Sequence, residues 1–146
     1  RRVGPDEVAL AKSLFEYFQI EDGVPIPSLS SDSYLQTLLA RDDFHVLVSI
    51  SGETVIGGLT AYELRKYKSE TVDLYLYELS VMEAFRKRGV ATDLIDYLKS
   101  ICVAKGIREM FVGAFADNDP AKNLYEKTFG NGEEVFEYTH RFDRTK

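Results

Sequence analysis

The stretch from Val72 to Val81 constrains the fold more than any other, because it is apolar on both of its faces. At the period of two that a strand imposes, Val72, Leu74 and Leu76 share one face and Tyr75, Tyr77 and Leu79 share the other. A strand with one wet face alternates apolar with polar. A strand apolar on both sides belongs inside a sheet that is covered by two layers. The spacing therefore predicts a central strand here, with helices on either face of its sheet.

The rest of the chain supplies those helices. Val8, Ala11, Leu14, Phe15 and Phe18 recur at helical spacing after Pro5, with Asp6 and Glu7 in the expected first turn. A second helix is expected from Asp32 to Ala40, with Leu35, Leu38 and Leu39 apolar. The loop Gly23-Val24-Pro25-Ile26-Pro27 separates them. Phe44 to Ser51 and Thr54 to Leu64 read as a hairpin around Ser51-Gly52-Glu53. After the central strand, Gly89 to Lys105 reads as an amphipathic helix carrying Val90, Leu94, Tyr97, Leu98, Ile101 and Cys102 on one side. Glu109 to Phe115 reads as a strand. Asp119-Pro120 reads as an N-cap followed by proline, opening a helix that ends near Phe129-Gly130. Glu134 to Phe142 reads as a final strand. The expected class is α/β, a single domain over residues 1–146 with a mixed central sheet flanked by helices, in the order ααβββαβαβ.

Composition narrows the partners. Hydrophobic residues make up 45% of the chain, enough for a packed core and too many for a disordered segment. The net charge of -6 disfavours nucleic acid and anionic membranes, and it weakly favours polycationic ligands. A lone cysteine, Cys102, excludes an intramolecular disulfide and fits a reducing compartment. No apolar run reaches the roughly 18 residues of a membrane span. No signal-peptide pattern is present, so a cytoplasmic location is expected. The first residue is not Met, which fits a trimmed chain.

Three constellations carry chemistry. Arg86-Lys87-Arg88-Gly89-Val90-Ala91-Thr92 places three cations and a glycine at the start of a helix. The first-turn amides and the helix dipole there favour an anion, and Gly89 allows a phosphate to approach the backbone. A solvated basic turn is the other reading. Glu78 puts a carboxylate into the doubly covered strand, near the end where α/β sheets place ligands. It reads either as a general base or as a structural carboxylate paired with a cation. Tyr125 lies in the helix opened by Asp119-Pro120. It reads either as a proton donor to a leaving thiolate or as a core aromatic. His45 and His140, both in expected strands, read as structural. No His, Cys, Asp or Glu set has metal-ligand spacing, so no metal is expected.

Together these segments resemble the GNAT superfamily of N-acetyltransferases. The superfamily motif [Q/R]-x-x-G-x-[G/A] after a long central strand is matched by Arg86-x-x-Gly89-x-Ala91, preceded by Tyr77-Glu78-Leu79-Ser80-Val81. A later motif resembles Asn118-Asp119-Pro120-Ala121-Lys122-Asn123-Leu124-Tyr125-Glu126-Lys127. The resemblance implies acetyl-coenzyme A as cofactor, held by Leu79, Ser80 and Val81, by Arg86 to Thr92, and by Asn118 and Ala121. It implies Glu78 as base and Tyr125 as acid. Tyr75 to Val81, Asp119-Pro120-Ala121 and Glu133-Glu134-Val135 also look like the type I aminoglycoside 3-N-acetyltransferases. That group usually has Asp at the position of Glu78. Phe129-Gly130 stands where the superfamily usually has Gly-Phe.

The implied acceptor is a small cationic amine, the 3-amino group of an aminoglycoside. Another small amine, a polyamine or a protein amine remains open, as does a non-catalytic acyl-CoA sensor. Glu78, Asp117, Glu133 and Glu134 are the expected acceptor-binding carboxylates, with Glu21, Asp22 and Glu137 as further candidates. The resemblance also leaves a homodimer open, with the apolar final strand contributing.

Overall fold

A computed structural model describes residues 1–143. Val72–Val81 forms the expected inner strand. Four strands, β1 (Phe44–Ser51), β2 (Thr54–Arg65), β3 (Val72–Val81) and β4 (Glu109–Val112), lie in the order β1-β2-β3-β4. β1 and β2 are antiparallel, as are β2 and β3, whereas β3 and β4 run parallel. The sheet is therefore mixed. Arg2 adds a single bridge to Leu47.

Helices cover both faces. On one face, α1 (Val8–Glu21) and α2 (Asp32–Leu39) pack Ala11, Leu14, Phe18 and Leu39 against Phe44, Val46 and Val48. On the other, α3 (Val90–Lys105) packs Leu94, Ile95, Leu98 and Cys102 against Leu47, Leu59, Leu74 and Leu76. α4 (Asp119–Phe129) lies beside α3, and its Leu124, Tyr125 and Phe129 join the rim of that second core. Each fully buried leucine contributes about 1.5–3 kcal/mol relative to exposure. The close seating of α1 depends on Gly58, where a Cβ would lie 2.5 Å from Leu47 O and 2.6 Å from a Leu14 methyl.

A buried polar knot ties the layers at the other end of the sheet. His45 Nε2 lies 2.6 Å from Glu63 Oε2, and the same carboxylate takes Lys105 Nζ at 2.5 Å from the end of α3. Burial outweighs the Glu63 attraction and holds the His45 imidazole below its usual pKa. His45 is thus neutral near pH 7, donating from Nε2, with Nδ1 buried and unpartnered. His45 is structural, as expected.

The structure differs from the sequence reading by one residue at several ends and more substantially at the following places. The first helix starts at Val8, with Glu7 as its N-cap. The cap of α4 is Asn118, one residue before Asp119, because its side chain accepts from Ala121 N–H at 3.2 Å. β4 ends at Val112 and does not reach Phe115. The expected strand Glu134–Phe142 does not form: 130–143 carries no regular secondary structure. Its alternating pattern suits a strand, but a strand also needs a neighbour, and no segment of the described residues pairs with it. Among the described residues no helix is long and apolar enough to cross a membrane.

Candidate active site

The site is built where β3 and β4 part. The two pair from Asp73↔Glu109 to Leu76↔Val112, and then β4 ends. β3 continues through Tyr77–Val81, hydrogen-bonded on its other side to β2 from Glu78↔Thr60 to Val81↔Gly57. Tyr77 to Val81 therefore present one free backbone edge to the gap. A flexible chain bearing amides fits such an edge by adding to the ladder.

A bulge shapes the same place. Thr60 pairs with Glu78 but Ala61 pairs with Leu76, so Tyr77 is the extra residue. The bulge re-aims the side chains that follow. Leu74, Leu76 and Leu79 pack toward α3. Glu78 and Ser80 face the α1–α2 layer, where Asp22 and Glu21 meet them.

Glu78 is half-buried there. Its carboxyl is pushed up, first by burial and then by the charge of Asp22, with Thr60 pulling weakly the other way. A carboxylate whose pKa is raised is a better proton acceptor at neutral pH than an exposed one. No cation in the described residues pairs with it, which removes the structural ion-pair reading.

Aromatic rings surround it. Phe44, Tyr62, Tyr75 and Phe111 are register partners across all four strands, forming one row on the α1–α2 face. Tyr77 joins the row, 5.5 Å from Tyr62 and 5.7 Å from Tyr75. Phe44 is buried, but Tyr62, Tyr77 and Phe111 are open to solvent. Burial, Tyr77, Glu78 and Tyr34 all raise the Tyr62 phenol. Sequence reasoning missed Tyr34 and Tyr62, because only strand register and helix packing bring Tyr62 to Glu78 and Tyr34 to Tyr62.

The anion site lies at the start of α3. Gly89 is the N-cap, left-handed at φ 82°, with no side chain capping it. The first helical bond is Asp93 N–H to Gly89 O at 2.9 Å. The amides of Val90, Ala91 and Thr92 precede it and have no acceptor within the helix. A Cβ at Gly89 would meet nothing within 4 Å, so the approach is open. Lys87 is also left-handed, at φ 61°, a strained state for a residue with a side chain. Lys87 and Arg88 are exposed beside these amides. These features suit the pyrophosphate of a coenzyme.

Arg86 behaves differently from its neighbours. Its Nε donates to Val81 O at 2.8 Å, and its guanidinium reaches Glu21 at 2.5 Å. Glu21 also accepts from Ser80 Oγ and from Tyr17 OH. Arg86 and Ser80 thus tie the anion loop and the end of β3 to the end of α1. Asn118 Oδ1 is likewise taken up, by Ala121 N–H.

Tyr125 sits on the opposite side of the sheet from Glu78. It packs on the rim of the α3 core, edge-on to Phe129 at 5.8 Å, and burial raises its phenol. Asp117, Glu133 and Glu134 are exposed, on the loop before α4 and on the segment after it. Among the described residues no group of three or more His, Cys, Asp or Glu is placed to hold a metal ion.

Known proteins share this fold. The profile of the acetyltransferase (GNAT) family matches residues 11–130. An aminoglycoside acetyltransferase from an uncultured soil metagenomic sample, solved in complex with sisomicin, superposes with a TM-score of 0.92 at 26% identity, over 98% of this chain and 95% of that one. A second aminoglycoside acetyltransferase from an uncultured soil metagenomic sample gives 0.89 at 33% identity, over 98% and 97%. A ribosomal-protein-alanine N-acetyltransferase from Brucella melitensis shares the fold at 17% identity, with a TM-score of 0.74 over 97% and 98%. No curated protein matches the chain.

Proposed function

Because this chain belongs to the GNAT acetyltransferase family and is an acetyl-CoA-dependent N-acetyltransferase, we propose that its acceptor is an aminoglycoside, modified on the 3-amino group. The observation that carries this reading is the likeness to two aminoglycoside acetyltransferases over 98% of the chain, one of them 33% identical. The local chemistry supports it. Glu78 and Asp22 set carboxylates beside the open Tyr62 and Tyr77 rings, and a polyamino sugar offers ammonium groups to the first and ring faces to the second.

In this reading Glu78 takes the proton that the acceptor ammonium must lose before its nitrogen can attack. The nitrogen then forms a bond to the thioester carbonyl carbon, the carbon–sulfur bond breaks, and the nitrogen's second proton passes to solvent, which later restores the Tyr125 phenol and the Glu78 carboxylate. Tyr125, a neutral phenol at pH 7, gives its proton to the departing thiolate. The free edge at Leu79 to Val81 holds the coenzyme arm, and a backbone N–H there stabilises the developing oxyanion. Val90, Ala91 and Thr92 bind the pyrophosphate through their amides, with Lys87 and Arg88 adding charge. Arg86 and Asn118 act indirectly, by fixing the loop and the start of α4. Asp117, Glu133 and Glu134 bind outlying ammonium groups of the acceptor.

The test is release of coenzyme A from acetyl-CoA with gentamicin, kanamycin, spermidine and a lysine peptide as acceptors. Selective turnover of gentamicin, with the product acetylated at the 3-amino group, is expected. Turnover of spermidine or peptide alone overturns the aminoglycoside reading and leaves the acetyltransferase intact.

A further inference from the structure

Two aliphatic hydroxyls, those of Ser80 and Thr60, are buried in the sheet of the described residues, and their surroundings differ. Ser80 donates to Glu21 and helps to tie β3 to α1. Thr60 is 2% exposed. It lies on the face of β2 that looks toward α1, since Gly58 shares that face and a Cβ there would meet Leu14. On β1 it pairs with Val46, whose side chain has no polar atom. Along β2 it stands between Gly58 and Tyr62. The α1 residues buried over this layer are Ala11, Leu14 and Phe18. On β3 it pairs with Glu78.

A buried hydroxyl without an acceptor carries the full penalty of its desolvation. Directly opposed residues on one face of a sheet have Cβ atoms about 4.5–5.5 Å apart, within reach of a threonine hydroxyl and a glutamate carboxylate. Apart from Glu78, nothing in the described residues takes up the Thr60 hydroxyl. We propose that Thr60 is a positioning residue for the base: its Oγ1–H donates to the Glu78 carboxylate, holds one carboxylate oxygen against β2 and leaves the other to take the acceptor's proton. This rests on the reading of Glu78 as base and not on the identity of the acceptor.

The same bond controls charge. Asp22 faces Glu78 from the end of α1, Tyr62 and Thr60 face it from β2, and Tyr77 lies beside it on β3. Tyr34 of α2 stands behind Tyr62, Glu21 is held by Arg86 and Ser80, and Val46 of β1 brings no charge. Burial and Asp22 favour the neutral acid, and the Thr60 hydroxyl opposes both by bonding the charged form. Thr60 thus keeps more of the Glu78 carboxyl ionised, and only the ionised form accepts a proton.

The test is the pH profile of kcat/KM for the acceptor with acetyl-CoA saturating. The acceptor is gentamicin or, where gentamicin is not turned over, spermidine. Its own titration is common to every variant, so a difference between profiles belongs to the protein. Thr60→Val removes the hydroxyl and keeps the branched shape. It is expected to move the acid limb to higher pH and to lower the plateau about ten-fold. Thr60→Ser keeps the hydroxyl and loses a buried methyl. It is expected to hold the parental limb and plateau while melting lower than Thr60→Val. An unchanged limb in Thr60→Val overturns the proposal. So does a Thr60→Ser variant that loses as much activity as Thr60→Val, which is the mark of a packing role. Glu78→Gln is measured beside them, and adding Thr60→Val to it is expected to cost no further turnover. Parental turnover in Glu78→Gln overturns the base reading and this proposal with it, whereas a failure confined to Thr60→Val leaves the base reading in place.

Discussion

The Glu21 carboxylate at the end of α1 and the Arg86 guanidinium at the start of the anion loop meet at 2.5 Å, although 65 residues separate them in sequence. The contact joins the side of the site that faces Glu78 to the side that faces the helix amides. Ser80 and Tyr17 bond the same carboxylate. Both charged side chains are partly exposed, so the pair is worth at most about 1 kcal/mol. For Glu21→Gln, kcat/KM for acetyl-CoA is expected to fall about two- to five-fold with the melting temperature nearly unchanged. Steady-state kinetics with acetyl-CoA varied checks this; an unchanged value shows that the loop holds its shape alone.

Glu78→Gln separates catalysis from folding. Without a base at this position, turnover is expected to fall by about 10²–10⁴ while acetyl-CoA affinity stays. Stability moves the other way. The folded state raises the Glu78 pKa, so its charge opposes folding as pH rises through and above about 4.5. Glutamine carries no charge, and the variant is expected to melt no lower than the parent at pH 7. Isothermal titration with acetyl-CoA and a thermal melt test both halves.

Gly58→Ala tests the seating of α1. The new Cβ would meet Leu47 O, a backbone atom that cannot turn aside, as well as both Leu14 methyls. Overpacking of this kind costs about 1–3 kcal/mol. Urea unfolding is expected to show a lower midpoint with the same slope.

His45 makes stability depend on pH. Its folded pKa lies below the ordinary 6.5, with burial as the main cause. The unfolded chain therefore binds more protons than the folded one as pH falls below about 6.5. The His45 contribution is fully present above that pH and is lost as pH drops toward the folded value. His45→Gln is expected to flatten the melting temperature between about pH 6.5 and 5. An equal slope in the variant assigns the loss to other groups.

Much of this protein could be read from residue order alone, because the signals concerned are local. Val72–Val81 is apolar at a period of two on both faces, and that is enough to make it an inner strand. Arg86-x-x-Gly89-x-Ala91 marks a helix start with free amides, since a glycine N-cap and the turn after it are a few residues long. Glu78 stood out as a charge in an apolar strand. What the sequence could not carry was pairing between distant segments. The Tyr77 bulge exists only in the register of β3 against β2, and it decides that Glu78 faces Asp22 and Tyr62. Arg86 read as a ligand for an anion, and only the placement of α1 shows its guanidinium held by Glu21. The alternation in 134–142 specifies a strand's side chains but not a strand's neighbour. A ladder needs two backbones, and among the described residues no second one pairs with this segment.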